Sequence, residues 1–215
     1  VLCNGQDLKL AAGHLRAKKH IVLAAVQQNG LALEFAAKEL RADRPVVLGA
    51  VRQNGLALQF AVEELQEDKA FALQAVRQNG AAFQCVPEHL RLDQEFALQA
   101  VHQHTHVLQY VSREVAVEAV QLNGLWLRYV AENLRADRAV VLQAMAQNWD
   151  AWKYAAPALW EDRQFILQAT VHGVGRALKY ATEQLRADRA FVLQVVEQQG
   201  VSLQYAAEEL RADEA

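Results

Sequence analysis

Three histidines alternate at His102, His104 and His106, a spacing that gathers metal ligands on one side of a strand. On a helix the same spacing leaves only His102 and His106 on a shared face, so a metal there needs a further ligand that the sequence does not identify. They are weak metal candidates, an irregular turn is the simpler reading, and no metal or cofactor is expected. All four tryptophans fall between Trp126 and Trp160. Compared with matching places elsewhere in the chain, Trp152 replaces a core leucine, Trp126 an alanine, Trp149 a turn glycine and Trp160 an exposed arginine. Exposed aromatics are favoured at binding hot spots, which makes Trp126, Trp149 and Trp160 the leading interaction patch, with local repacking as the alternative. A series of carboxylates, Asp43, Asp137, Asp162 and Asp188, stands before apolar stretches; each reads as a helix N-cap rather than half of an acid/base pair. The arginines Arg41, Arg91, Arg135, Arg186 and Arg211 form a second series, either a ladder for phosphates or, beside so many acids, part of salt-bridge networks.

Those matching places exist because one spelling returns about every twenty-five residues, as in VVLGAVRQNGLALQFAVEELQEDKA from Val46 to Ala70 and FVLQVVEQQGVSLQYAAEELRADEA from Phe191 to Ala215. Such a period signals a stacked array. Copies cover 21–45, 46–70, 71–95, a shortened 96–114, then 115–139, 140–164, 165–190 and 191–215, after a partial copy at 1–20. An opening inside a copy, on a residue other than Met, leads us to expect part of a longer array.

Each copy reads as two helices. Asp43 caps the first, and Pro45 fits its first turn, where a missing N–H has no partner to lose. Val46, Val47, Leu48, Ala50 and Val51 give it an apolar face, and Asn54-Gly55 accepts the left-handed conformation that closes many helices. The same pair returns at Asn29-Gly30, Asn79-Gly80 and Asn123-Gly124. A second helix from about Leu56 places Leu58, Ala61, Val62 and Leu65 at helical spacing. Pro87 and Pro157 fall inside it in two copies, so it is expected to be kinked or split near its middle. The short copy lacks the distal half of that helix, and Ser112 replaces the capping aspartate. Two such short helices cannot hide their apolar faces alone, so the fold class is all-α: an α-solenoid of stacked two-helix repeats.

The strings Leu40-Arg41-Ala42-Asp43-Arg44 and Val51-Arg52-Gln53-Asn54-Gly55, followed by LALQ, an aromatic residue and EEL, resemble a family of short α-helical tandem repeats. That family is catalogued as a domain of unknown function and is met in protist and some bacterial proteins. The resemblance spans essentially the whole chain and implies the repeat but no activity. The chain departs from it in the short copy and in the turns at His104-Thr105-His106, Asn148-Trp149-Asp150 and His172-Gly173-Val174-Gly175.

Hydrophobic residues make up 53% of the chain and charged residues 22%, ample for a core. No apolar run reaches the roughly twenty residues of a membrane span, and no signal peptide is visible. Cys3 and Cys85 read as reduced thiols, so the chain is placed inside the cell, in the cytoplasm. A net charge of -3 argues against nucleic acid. Gln74, Arg77, Gln99, His102, Gln143 and Gln168 should form a polar row along the first helices, either a solvated face or a surface for an extended partner. With no Gly-rich phosphate loop, zinc-spaced cysteines or nucleophile elbow, the expected function is a non-enzymatic scaffold for another protein. A nucleic-acid-binding repeat is the alternative, and exposed repeat ends are candidates for self-association.

Overall fold

The computed structural model describes residues 5–172 and 175–212; Cys3, Gly173 and Val174 lie outside the described residues. No strand occurs among them. The chain forms two compact units, Val1–Val115 and Ala116–Ala215. In the first, the ten-residue helices Lys19–Gln28, Arg44–Gln53, Lys69–Gln78 and Gln94–Gln103 pack side by side in chain order. In the second, Arg138–Gln147, Arg163–His172 and Arg189–Gln198 do the same. Each unit is an all-α stack of repeats.

The second element of each full-length copy is split. Gly55–Phe60 is a 3₁₀ helix, Ala61 and Val62 are extended (φ −66° and −65°, ψ 159° and 150°), and a one-turn α-helix, Glu63–Gln66, follows. Extended residues cannot satisfy their own backbone, and the neighbouring copy supplies the partner. The Val62 N–H donates to the Arg41 carbonyl at 3.1 Å and the Ala37 N–H to Arg16 at 3.0 Å. In the second unit Ala156 donates to Arg135 at 2.9 Å and Ala207 to Arg186 at 2.8 Å. Pro87 stands where that donor would be and has none to give, while Pro157 opens the 3₁₀ helix Pro157–Glu161, where proline is tolerated. In the short copy Thr105–Gln109 is followed by Arg113–Leu122 with no one-turn helix between, and the Ser112 hydroxyl accepts from the Val115 N–H at 3.4 Å.

The Asn-Gly pairs end the first helices by a different device from the left-handed turn expected. Asn54 is extended (φ −147°, ψ 114°), and its side-chain oxygen accepts from the Leu56 N–H at 3.0 Å, capping the 3₁₀ helix that follows. Among the described glycines only Gly175 has positive φ. Gly30 is small for another reason: a Cβ there would lie 2.3 Å from the Ala50 carbonyl oxygen of the next copy, and at Gly124 one would lie 2.2 Å from that of Ala144. The Gly30 N–H donates to the Gln53 side chain, and the Gly124 N–H to that of Gln147 at 2.6 Å. Gln-Asn-Gly is thus a clasp between copies: the glutamine reaches back, the asparagine caps forward, and the glycine permits the approach.

The capping aspartates carry a second seam. Asp43 Oδ1 accepts from the Val46 N–H at 3.2 Å and Asp188 Oδ1 from the Phe191 N–H at 3.0 Å, as expected of caps. Their other oxygens bind a cation one copy earlier: Lys19 to Asp43 at 2.7 Å, Lys69 to Asp93 at 2.9 Å, and Arg44 to Asp68, Arg138 to Asp162 and Arg163 to Asp188. Backbone N–H donation from Phe71, Phe96 and Phe191 holds the carboxyls of Asp68, Asp93 and Asp188 below the usual aspartate range, with the paired cation adding to it. Between these seams lie fully buried residues, Leu33, Leu58, Phe71 and Phe83 in the first unit and Leu127, Phe165, Ile166 and Leu178 in the second. Each such side chain contributes roughly 1.5–3 kcal/mol by leaving water.

Candidate interaction surfaces

With the aspartates, glutamines and glycines bound into the seams, the arginine series is the next to be accounted for. Arg16, Arg41, Arg135 and Arg186 are half-buried, each with Nε shielded from solvent. Arg91 Nε donates to the Val86 carbonyl at 3.0 Å, and Gln66, in the same register, points its amide at the carbonyls of Leu58, Gln59 and Ala61 at 3.0–3.1 Å. In these two copies the side chain closes the C-terminal end of the preceding 3₁₀ helix, whereas the buried Nε of Arg16, Arg41, Arg135 and Arg186 has no hydrogen-bond partner. Arg211 alone of the series is exposed.

This corrects the reading of Trp160. Because the arginine place is not exposed, a tryptophan there turns inward: Trp160 is 8% exposed and packs edge-on against Trp152 and Phe165. Tyr180 stacks on Trp152 with ring centroids 3.7 Å apart. Trp126 and Trp149 are half-buried, and the Trp149 indole N–H is shielded from solvent. Trp149 occupies the seam glycine's place, and the turn that follows in the next copy is the one rewritten at His172-Gly173-Val174-Gly175, where the copy gains a residue.

The three histidines fall in and beyond the end of a first helix, as their place in the copy suggested. The helix Gln94–Gln103 stops before His104, so His102 and His106 belong to different elements, and the ring packed on His106 is that of His104, 5.2 Å away. His104 takes the place of the capping asparagine without capping, and burial, with the His106 charge adding to it, lowers its pKa. Among the described residues no cluster of three or more His, Cys, Asp and Glu is placed to hold a metal. Cys85, in the place of an aromatic, donates its thiol to the Leu56 carbonyl at 3.6 Å, and burial pushes its pKa up.

The polar row is outward. In the first unit Gln74 and Arg77 on one helix and Gln99 and His102 on the next are exposed, with Gln99 donating to Glu95 at 3.1 Å. In the second unit Gln143 accepts from Gln121 at 3.2 Å, and Gln143, Gln168, Arg138, Leu142 and His172 line a surface groove.

A further row was not foreseen. Every copy carries a half-exposed residue at the end of its 3₁₀ helix: Phe35, Phe60, Cys85 and Tyr110 in the first unit, Tyr129, Tyr154, Tyr180 and Tyr205 in the second. The exposed residue just before it is Glu34, Gln59, Gln84 or Gln109 in these first-unit copies, with Lys9 at the same place in the partial copy, but Arg128, Lys153 or Lys179 in three copies of the second. The Arg128 guanidinium lies 4.5 Å from the Tyr129 ring centroid and the Lys179 ammonium 5.8 Å from that of Tyr180. The signal was present in the aligned copies as three basic-tyrosine pairs.

A family described as a domain of unknown function (DUF4116) matches residues 18–66, 68–114, 112–160 and 162–211. The chain belongs to this family. The four matches open at Lys18, Asp68, Ser112 and Asp162, all at the capping place before a first helix, so each takes in two successive copies. Neither a curated protein nor a solved structure matches the chain. Among the described residues no helix is long and apolar enough to cross a membrane.

Proposed function

We propose that the chain is a non-enzymatic scaffold that binds another protein through its repeated outer surface. One observation carries the reading: the polar residues that recur most faithfully are engaged between copies, whereas register-equivalent residues such as Gln74 and Gln99, or Gln143 and Gln168, stay exposed on adjacent helices. Stacked repeats that present like side chains at regular intervals offer an extended partner several weak contacts at once, and their sum gives affinity. A cytoplasmic setting fits free thiols and belongs to the same proposal.

Affinity capture from nuclease-treated extract of the source cell tests it, comparing the native chain with a variant carrying Gln74→Ala, Arg77→Ala, Gln99→Ala and His102→Ala. The expected result is a discrete set of proteins, depleted by the substitutions while helicity is unchanged. Capture that vanishes on nuclease treatment would move the reading to the nucleic-acid alternative, and turnover of a substrate by the purified chain would end it.

A further inference from the structure

We propose that the 3₁₀ helices Gly124–Tyr129, Trp149–Tyr154 and Arg176–Tyr180 of the second unit form a docking face for an acidic, extended segment of a partner protein. This rests on the protein-binding reading above and names the chemistry of its partner.

The three helices are contiguous. Gly124–Tyr129 packs on Trp149–Tyr154, which reaches Arg176–Tyr180 through the Trp152–Tyr180 stack. They carry four exposed cations, Arg128, Lys153, Arg176 and Lys179, against one acid, Asp150, in a chain whose net charge is -3. Positive charge is concentrated on this face against the trend of the molecule, and such a field selects carboxylates. The register-equivalent 3₁₀ helices Gly30–Phe35, Gly55–Phe60 and Gly80–Cys85 carry no cation, and Gly5–Leu10 carries one, Lys9, against one acid, Asp7. Arg128 and Lys179 are held over tyrosine rings, which limits the freedom they lose on binding. Lys153 is tied to Asp150 at 3.0 Å, an exposed pair that a ligand carboxylate can exchange at little cost.

The same geometry disfavours nucleic acid. Proteins that bind single strands need free ring faces for base stacking. Here Trp152 and Tyr180 stack on each other, Trp160 is buried against both, and the Tyr129 hydroxyl is engaged by Arg128. What the face offers is cations, about one per copy. Packed helices lie about 8–10 Å apart, and a peptide in the polyproline II conformation turns once in three residues and rises roughly 3.1 Å per residue, so carboxylates at every third position share one face and meet successive copies.

Fluorescence anisotropy with a labelled twelve-residue peptide, Glu-Gly-Ser repeated four times, tests the proposal. Its glutamine counterpart and a twelve-nucleotide oligothymidine serve as comparisons. The expected result is binding of the glutamate peptide that weakens as salt is raised, and no binding of the glutamine peptide. Arg176→Gln alone should weaken it about 3-fold, and Arg128→Gln, Lys153→Gln, Arg176→Gln and Lys179→Gln together at least 10-fold, with helicity retained. Lys38→Gln with Arg52→Gln, two exposed cations of the first unit, should change nothing. Absence of binding, an unaltered affinity in the fourfold variant, an equal loss from the first-unit changes, or tighter binding of oligothymidine would each overturn the proposal. Failure here with partner capture intact would leave the scaffold reading standing.

Discussion

The first unit and the second unit share a backbone and differ in what they show to solvent. At the end of the 3₁₀ helix three successive copies of the first unit read Glu34-Phe35, Gln59-Phe60 and Gln84-Cys85, whereas three of the second read Arg128-Tyr129, Lys153-Tyr154 and Lys179-Tyr180; Lys9-Leu10 and Gln204-Tyr205 stand outside the contrast. Beneath these pairs the same things happen: Asp68 and Asp188 cap a helix with one oxygen and bind the preceding copy's cation with the other, and Gly30 and Gly124 receive a glutamine from the next copy. Most residues that touch a neighbouring copy keep one chemistry, with His104 and Trp149 as departures. Residues that touch only water are free to diverge, and that is where the units acquire different character.

The largest effect that tests this comparison is in the core. Leu58→Ala and Leu178→Ala, at the same register in the two units, should each cost about 2–5 kcal/mol, read as faster amide hydrogen exchange in the surrounding copies. A loss in one unit only would break the claim of a common scaffold. The seam glycines sharpen it further. Gly30→Ala forces a methyl group against the Ala50 carbonyl and should destabilise by about 1–3 kcal/mol in urea unfolding. Gly49→Ala, inside the helix Arg44–Gln53 and away from the seam, where an added Cβ would come no nearer than 3.9 Å to Leu23, should be neutral or stabilise by up to about 1 kcal/mol. Equal effects at the two sites would show that the glycines serve backbone conformation after all. The smallest single effect is at the caps, where Asp43→Ala should cost about 1 kcal/mol.

Acid should act on both units alike. The folded-state pKa values of Asp68, Asp93 and Asp188 lie below the ordinary aspartate value, so their contribution is complete above about pH 4 and is lost as pH falls through the lowered values. The urea midpoint should therefore decline below about pH 4. A midpoint that rises on acidification would contradict the cap-and-cation arrangement.

The architecture was legible because copies can be laid under one another: a position that is apolar in every copy needs no alignment to be placed in the core. The split second element was visible through Pro87, Pro157 and the short copy, each marking a place where a continuous helix is not required. Asn54-Gly55 was placed correctly but for the wrong cause, since a close approach between copies and a left-handed turn both ask for glycine and only coordinates separate them. Trp160 misled because arginine is usually exposed, while here its stem lies under a 3₁₀ helix and leaves room for a ring. The histidine triplet was placed at the end of a first helix, and the structure ends that helix at Gln103. The basic-tyrosine row went unread because a lone Arg or Lys before an aromatic residue looks like ordinary surface charge until three copies repeat it.

The seam glycine also governs how such a chain can grow. Where Gly30 meets the copy bearing Gln53, donor and acceptor are the same pair found where Gly124 meets the copy bearing Gln147, so a whole copy can be inserted or excised there and the new junction resembles the old. Trp149 has given up that interchangeability. A ring stands there in the glycine's place, and the copy that follows, 165–190, is one residue longer, so this pair departs from the twenty-five-residue pattern.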